Sequence, residues 1–187
     1  MKAQIIKGLT AIFAFALILS ACKKERGESN DEEIITTLVI TCTPQGGGAP
    51  LVFTFDDPDG PGGTNPSQDE IELEANKTYN VSLALLNATV NPPEDITEEV
   101  EEENLAHRFY YEPSGGSNIS VSDLDNDANG VPLGITSTWT TTAAATGTIT
   151  ITLRHYPGNP PDKQSPDPVN SPKSSTDMEV TFNTAVN

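Results

Sequence analysis

The sequence predicts an all-β fold, an immunoglobulin-like antiparallel β-sandwich of about eight or nine strands with one short acidic helix or helical turn. Three observations predict it. Apolar residues alternate with polar ones at period two through a series of short runs, threonine fills many of the polar positions, and clusters of Gly, Pro and Asn separate one run from the next.

In chain order the runs are Ile34, Thr36, Leu38, Ile40, Cys42; Leu51, Phe53, Phe55; Ile71, Leu73; and Tyr79, Val81, Leu83, Leu85. The alternation resumes with His107, Phe109, Tyr111; Ile119, Val121; Leu133, Ile135, Ser137, Trp139; Ile149, Ile151, Leu153; and Met178, Val180, Phe182. Each reads as a strand with one face buried, because successive side chains of a strand point to opposite faces. Gly46-Gly47-Gly48, Gly60-Pro61-Gly62-Gly63, Gly115-Gly116, Asn129-Gly130 and Thr146-Gly147 supply the turns. The Cys…Trp…Cys signature of antibody domains is absent, and strand order does not follow from the pattern. The one helical segment is 94–103, where Asp95 and Glu98 fit a capping box and Ile96 and Val100 share a face. Its pairs Glu98/Glu102 and Glu99/Glu103 repel at i,i+4 spacing, which solvation, a cation or a basic partner can answer. The connection 156–172 carries six prolines and reads as an ordered-to-mobile surface loop.

Ahead of the fold, Lys2 and Lys7 precede an apolar run from Leu9 to Leu19, the layout of a signal peptide and too short for a comfortable membrane span. Leu19-Ser20-Ala21-Cys22 resembles a bacterial lipobox, so residues 1–21 are expected to be removed and Cys22 lipidated. Residues 22–33 lack apolar side chains after Cys22 and read as a flexible tether, leaving 34–187 as a single domain. With Cys22 lipidated, Cys42 has no disulfide partner and reads as a small buried apolar residue.

The formal net charge of −17 disfavours nucleic acid and anionic headgroups, both of which need clustered Lys or Arg. Cations, or a basic patch on another protein, suit it better. Segments 78–111, 123–135, 146–157 and 177–183 together look like a group of small Bacteroidota lipoproteins that often carry the label "type 1 periplasmic binding fold superfamily protein". That resemblance implies a bacterial source and a cell-envelope location, and no activity. The two α/β lobes named by the label need strand–helix repeats, which the alternation does not contain.

Three function classes are open. The leading one is a non-catalytic, lipid-anchored envelope module, outer-membrane in location, that binds a ligand or cation and serves an outer-membrane uptake protein as accessory. The others are a structural or adhesive surface module, and a hydrolase using two carboxylates. Catalytic signatures are missing, so no catalytic residue is assigned and the chain reads as a non-enzyme.

Two metal sites are expected. His107 and His155 both continue the apolar phase of their strands and so point inward at strand ends; with Glu103 they suit a transition metal, most plausibly zinc. The alternative is a pair of hydrogen-bonded histidines at the core margin. Asp125, Asp127, Asn129 and Gly130 reproduce the opening of an EF-hand loop, with Asp123 as a further donor for calcium. That match lacks the closing glutamate, since Thr136 stands there, and Asn129-Gly130 also reads as a plain hairpin turn.

Overall fold

A computed structural model describes residues 33–60 and 62–187; the signal segment, the lipobox and Cys22 lie outside the described residues. In chain order it contains β1 (Thr37–Pro44), β2 (Leu51–Asp56), β3 (Ser67–Gln68), β4 (Ile71–Leu73), β5 (Thr78–Asn87), β6 (Glu94–Asp95), α1 (Ile96–Glu102), β7 (His107–Pro113), β8 (Ile119–Ser122), β9 (Thr136–Thr141), β10 (Ala145–His155) and β11 (Ser175–Val186). Every run of alternation lies on or runs into one of these strands. The two strands it misses, β3 and β6, are two residues long and exposed, so they carry no apolar phase to read.

One sheet has the order β3-β2-β1-β5-β9-β8, with β6 beside β5, and the other β4-β11-β10-β7. Setting β2, β3, β4 and β6 aside, β1-β5-β9-β8 and β7-β10-β11 reproduce the ABED and CFG order of an immunoglobulin constant-type sandwich. The structure corrects the expectation of a purely antiparallel fold at one place. β4 runs parallel to β11, from Ile71 opposite Thr184 to Leu73 opposite Val186.

The inner faces share one core in which Leu38, Ile40, Cys42, Leu85, Trp139, Ile149, Ile151, Leu153 and Phe182 are fully buried. Burying each large aliphatic side chain contributes about 1.5–3 kcal/mol. Trp139 donates its indole N–H to the Ser137 hydroxyl at 3.0 Å, so the core carries this polar atom satisfied. The helix forms over Ile96–Glu102 with Ile96 and Val100 buried, but its cap differs from the expected box: Asp95 accepts from the Thr97 backbone N–H at 2.9 Å and Glu98 takes no part. No helix among the described residues is long and apolar enough to cross a membrane.

At its leading edge the fold departs from the alternation. Ile34 is 57% exposed, and Ile35 instead packs against the core. Thr36 is buried and locks the segment to β5: its N–H donates to the Leu86 carbonyl at 2.9 Å, and its hydroxyl accepts from the Ala88 N–H at 2.8 Å.

The proline-rich connection is held by cations. Arg108 donates to the carbonyls of Gln164 and Ser165 at 3.2 and 3.0 Å, Arg154 to Ser171 and Ser174, and Lys173 pairs with Asp167 at 3.1 Å. Lys163 is drawn inside, where it donates to the carbonyls of Asn104 and His107 at 2.6 and 2.7 Å and to Asp127 at 2.8 Å. Four of the few bases in an acidic chain are spent on this connection and its flank.

Candidate metal centre

β7 and β10 pair so that His107 and His155 lie directly opposite each other at the last rung of the ladder. Their rings stack with centroids 4.9 Å apart and planes 30° apart. Both histidines keep the phase of the buried Phe109 and Leu153, so the ladder brings together at the sheet end two imidazoles 48 residues apart in sequence. The arrival of His107 is set by α1. Glu103 caps the helix, its carbonyl accepts from the Ala106 N–H at 2.8 Å, and the tight turn feeds straight into β7.

Two carboxylates complete the group, and neither is the one expected. Glu33 Oε1 lies 3.1 Å from His107 Nε2, and Asp177 Oδ2 lies 3.8 Å from the same nitrogen. One ligand atom each from Glu33, His107, His155 and Asp177 fall within 4.8 Å of one another. Among the described residues no other set of three or more His, Cys, Asp or Glu side chains converges in this way. The Glu33 side chain is only 7% exposed, and those of His107 and Asp177 are fully buried.

Asp177 reaches the site through an irregularity. On β11 the core-facing residues are Met178, Val180, Phe182, Thr184 and Val186, so a regular strand would turn Asp177 outward. The β10–β11 register shifts between Leu153, opposite Met178, and Arg154, opposite Thr176, which makes Asp177 the extra residue of a β-bulge. A bulge re-aims one side chain without disturbing the rest of the ladder.

Glu103 has a different part from the one expected. Its side chain is exposed and outside the convergent set; its backbone carbonyl accepts a hydrogen bond from His107 Nδ1 at 3.3 Å. That bond fixes the ring so that Nε2 faces the carboxylates, as a backbone carbonyl does behind many metal-bound histidines. Glu33, assigned by composition to the tether, supplies the carboxylate instead.

The electrostatics follow from burial against charge. Burial would raise the Glu33 carboxyl, but the hydrogen bond and charge of His107 outweigh it and hold Glu33 below its ordinary value. For His107, burial pulls downward, while Glu33, Asp177 and the Glu103 carbonyl win and raise it. His155 is lowered by burial and then by the charge of His107, so of the two imidazoles it is the weaker base. Its Nδ1 and Glu33 Oε2 are buried atoms with no hydrogen-bond partner among the described residues. A ring nitrogen and a carboxylate oxygen left unmatched in one cluster are atoms that a cation would satisfy.

The acidic turn expected to hold calcium is otherwise engaged. Asp127 Oδ1 accepts from the N–H groups of Asn129 and Val131 at 2.8 and 2.9 Å, and its Oδ2 receives Lys163. Asp125 accepts from the Thr136 N–H at 2.7 Å, and Asp123 from the Ser122 hydroxyl at 3.0 Å. Asn129 and Gly130 sit in a tight turn closed by the Gly130 N–H on the Asp127 carbonyl, with Gly130 at φ 79°. The carboxylates organise the hairpin and an ammonium sits among them, which leaves a second cation poorly placed.

Compared with known proteins, the chain matches no protein-family model, no curated protein and no solved structure.

Proposed function

We propose that this chain is a lipid-anchored cell-envelope protein whose β-sandwich is a non-catalytic module for a divalent transition metal of the zinc class. The observation that carries the reading is the convergence of Glu33, His107, His155 and Asp177 within 4.8 Å at one end of the second sheet. A tetrahedral shell with bonds of about 2.0–2.1 Å places its donors about 3.4 Å apart. The Glu33–His107 separation of 3.1 Å is already close to that, and the widest separation, at most 4.8 Å, closes by about 1.4 Å.

Charge favours a divalent ion. In the form that binds a metal, with both imidazoles unprotonated, the two carboxylates leave a buried charge of −2 that one divalent cation neutralises. Imidazole with carboxylate oxygen suits zinc and its neighbours better than calcium or magnesium, which take all-oxygen shells. Four protein ligands fill a tetrahedral shell and leave no position for a reacting water, the pattern of a structural or storage site. Lipid anchoring is supported by the Leu19-Ser20-Ala21-Cys22 tetrad behind an apolar run of signal-peptide length.

Zinc titration by calorimetry tests the metal. The intact protein is expected to bind one ion with sub-micromolar affinity, and His107→Ala and His155→Ala each to abolish this. Absence of binding, or binding indifferent to both substitutions, refutes the reading. Cys22→Ala is expected to release the protein from membranes; a variant that still sediments with them refutes the anchor.

A further inference from the structure

Resting on that metal reading, we propose that the bound ion acts as a staple: it ties the segment that leads in from the membrane anchor to the second sheet, so that metal occupancy fixes where the tether leaves the domain. The ligands are divided in an uneven way. His107, His155 and Asp177 lie at the ends of β7, β10 and β11, three adjacent strands of one sheet. Glu33 precedes β1, which belongs to the other sheet, and it stands eleven residues after Cys22.

Upstream of Thr36 the described segment is held by Ile35 against the core and by the Glu33 carboxylate on His107. Ile34 between them faces solvent. The carboxylate therefore spans from the leading segment of one sheet to the ladder end of the other. As a single hydrogen bond at 3.1 Å that link opens with local fluctuations of the chain ahead of β1. As a coordination bond it closes a loop from residue 33 to residues 107, 155 and 177, a cross-link that restrains the chain as a disulfide between the same positions would. The three ligands of the second sheet are already assembled by β-pairing and need no metal to meet. Glu33 is the ligand whose position the ion decides, and it is the ligand nearest the anchor.

Hydrogen exchange of the full-length protein in detergent, with and without saturating zinc, tests the staple. In the intact protein zinc is expected to slow exchange of the backbone amides of residues 33–36 by about tenfold or more. Glu33→Gln is expected to bind zinc at least about tenfold more weakly through the remaining three ligands. When saturated it should still protect the ends of β7, β10 and β11, with residues 33–36 no longer slowed. Zinc binding that leaves residues 33–36 unaffected in the intact protein, or Glu33→Gln with unchanged affinity, overturns the staple while the metal site stands. No zinc binding to the intact protein overturns the metal site and the staple with it.

Discussion

His107 and His155 face each other across the β7–β10 ladder, yet burial and charge drive their basicities in opposite directions. His107, between Glu33 and Asp177, holds its proton to higher pH than an ordinary imidazole, whereas His155 gives its proton up sooner. The proton on His107 Nε2 occupies the place where a metal would bond.

Zinc binding should therefore release a proton, and affinity should fall on acidification from a higher pH than a free imidazole would dictate. Below the His107 pKa the loss is about tenfold per pH unit, one proton being displaced per ion. Calorimetry in buffers of different ionisation enthalpy counts that proton; a binding enthalpy independent of buffer contradicts the assignment of Nε2 as ligand.

In the metal-free protein the same pair shapes the pH dependence of stability. The raised pKa of His107 contributes stability that is fully present below its unfolded value and is lost as pH rises through its folded value. The lowered pKa of Glu33 contributes stability present above its ordinary value and lost as pH falls through its folded one. Denaturant midpoints measured in chelator should thus fall on both sides of a plateau, and Glu33→Gln should flatten both limbs.

The fold was legible because its strands bury one face each, and a buried face imposes period two on the sequence. The two histidines were legible for the same reason, since each sits in the apolar phase of its strand. The carboxylates were not. Glu33 lies in a charged, apolar-free stretch whose composition suits a tether, and only the path of the chain over the end of the second sheet brings it to His107. Asp177 is out of phase with Met178 and Val180, and a bulge that re-aims one residue leaves no periodic trace. Glu103 looked suitable through adjacency to His107, but at the end of a helix the backbone carbonyl turns toward the ring and the side chain outward. In the turn at 125–130 the spacing of acids was readable; the arrival of Lys163 from a loop more than thirty residues on was not.

Lys163 and Asp127 form a buried ion pair at 2.8 Å, and the ammonium finds three acceptors for its three protons. Burial alone would raise the Asp127 carboxyl, but Lys163 and the N–H groups of Val131 and Asn129 keep it below its ordinary value. Lys163→Met should cost about 3–5 kcal/mol, because it strands a buried carboxylate and two carbonyls. The double variant Lys163→Met/Asp127→Asn should recover part of that loss in urea denaturation. A single variant as stable as the intact protein would show that the pair contributes nothing.

Arg108 and Arg154 are directly opposite in the β7–β10 ladder, a like-charge pairing that is unfavourable on a sheet face unless each charge is drawn elsewhere. Each guanidinium reaches a different stretch of the proline-rich loop, and Arg108 also lies over the Tyr110 ring at 4.3 Å. Arg108→Ala should cost about 1.5–3 kcal/mol, the range for hydrogen bonds to a charged group, and open residues 164–167 to limited proteolysis. Arg154→Ala should instead expose the stretch around Ser171 and Ser174. Identical cleavage patterns for the two variants would contradict this division.

Cys42 gives a readout that joins the anchor to the fold. It sits in β1 between Leu51 of β2 and Val81 of β5, fully buried, and burial pushes its thiol up to about 12. A thiol reagent reacts with the thiolate, so at neutral pH both low access and low ionisation protect it. Labelling should follow global opening, because β1 is paired on both sides and cannot release Cys42 without breaking one sheet. With the proposed lipid on Cys22, the full-length protein has one reactive thiol per chain. The expected trace is a single slow phase, accelerated by denaturant, with no rapid component. Zinc should slow that phase by the factor 1 + [Zn]/Kd, since an ion held only by the folded state reduces the open population in that proportion. A rapid phase of one thiol would mean that Cys22 is free and the lipid anchor is absent, while a slow phase unchanged by saturating zinc would mean that the ion does not stabilise the fold.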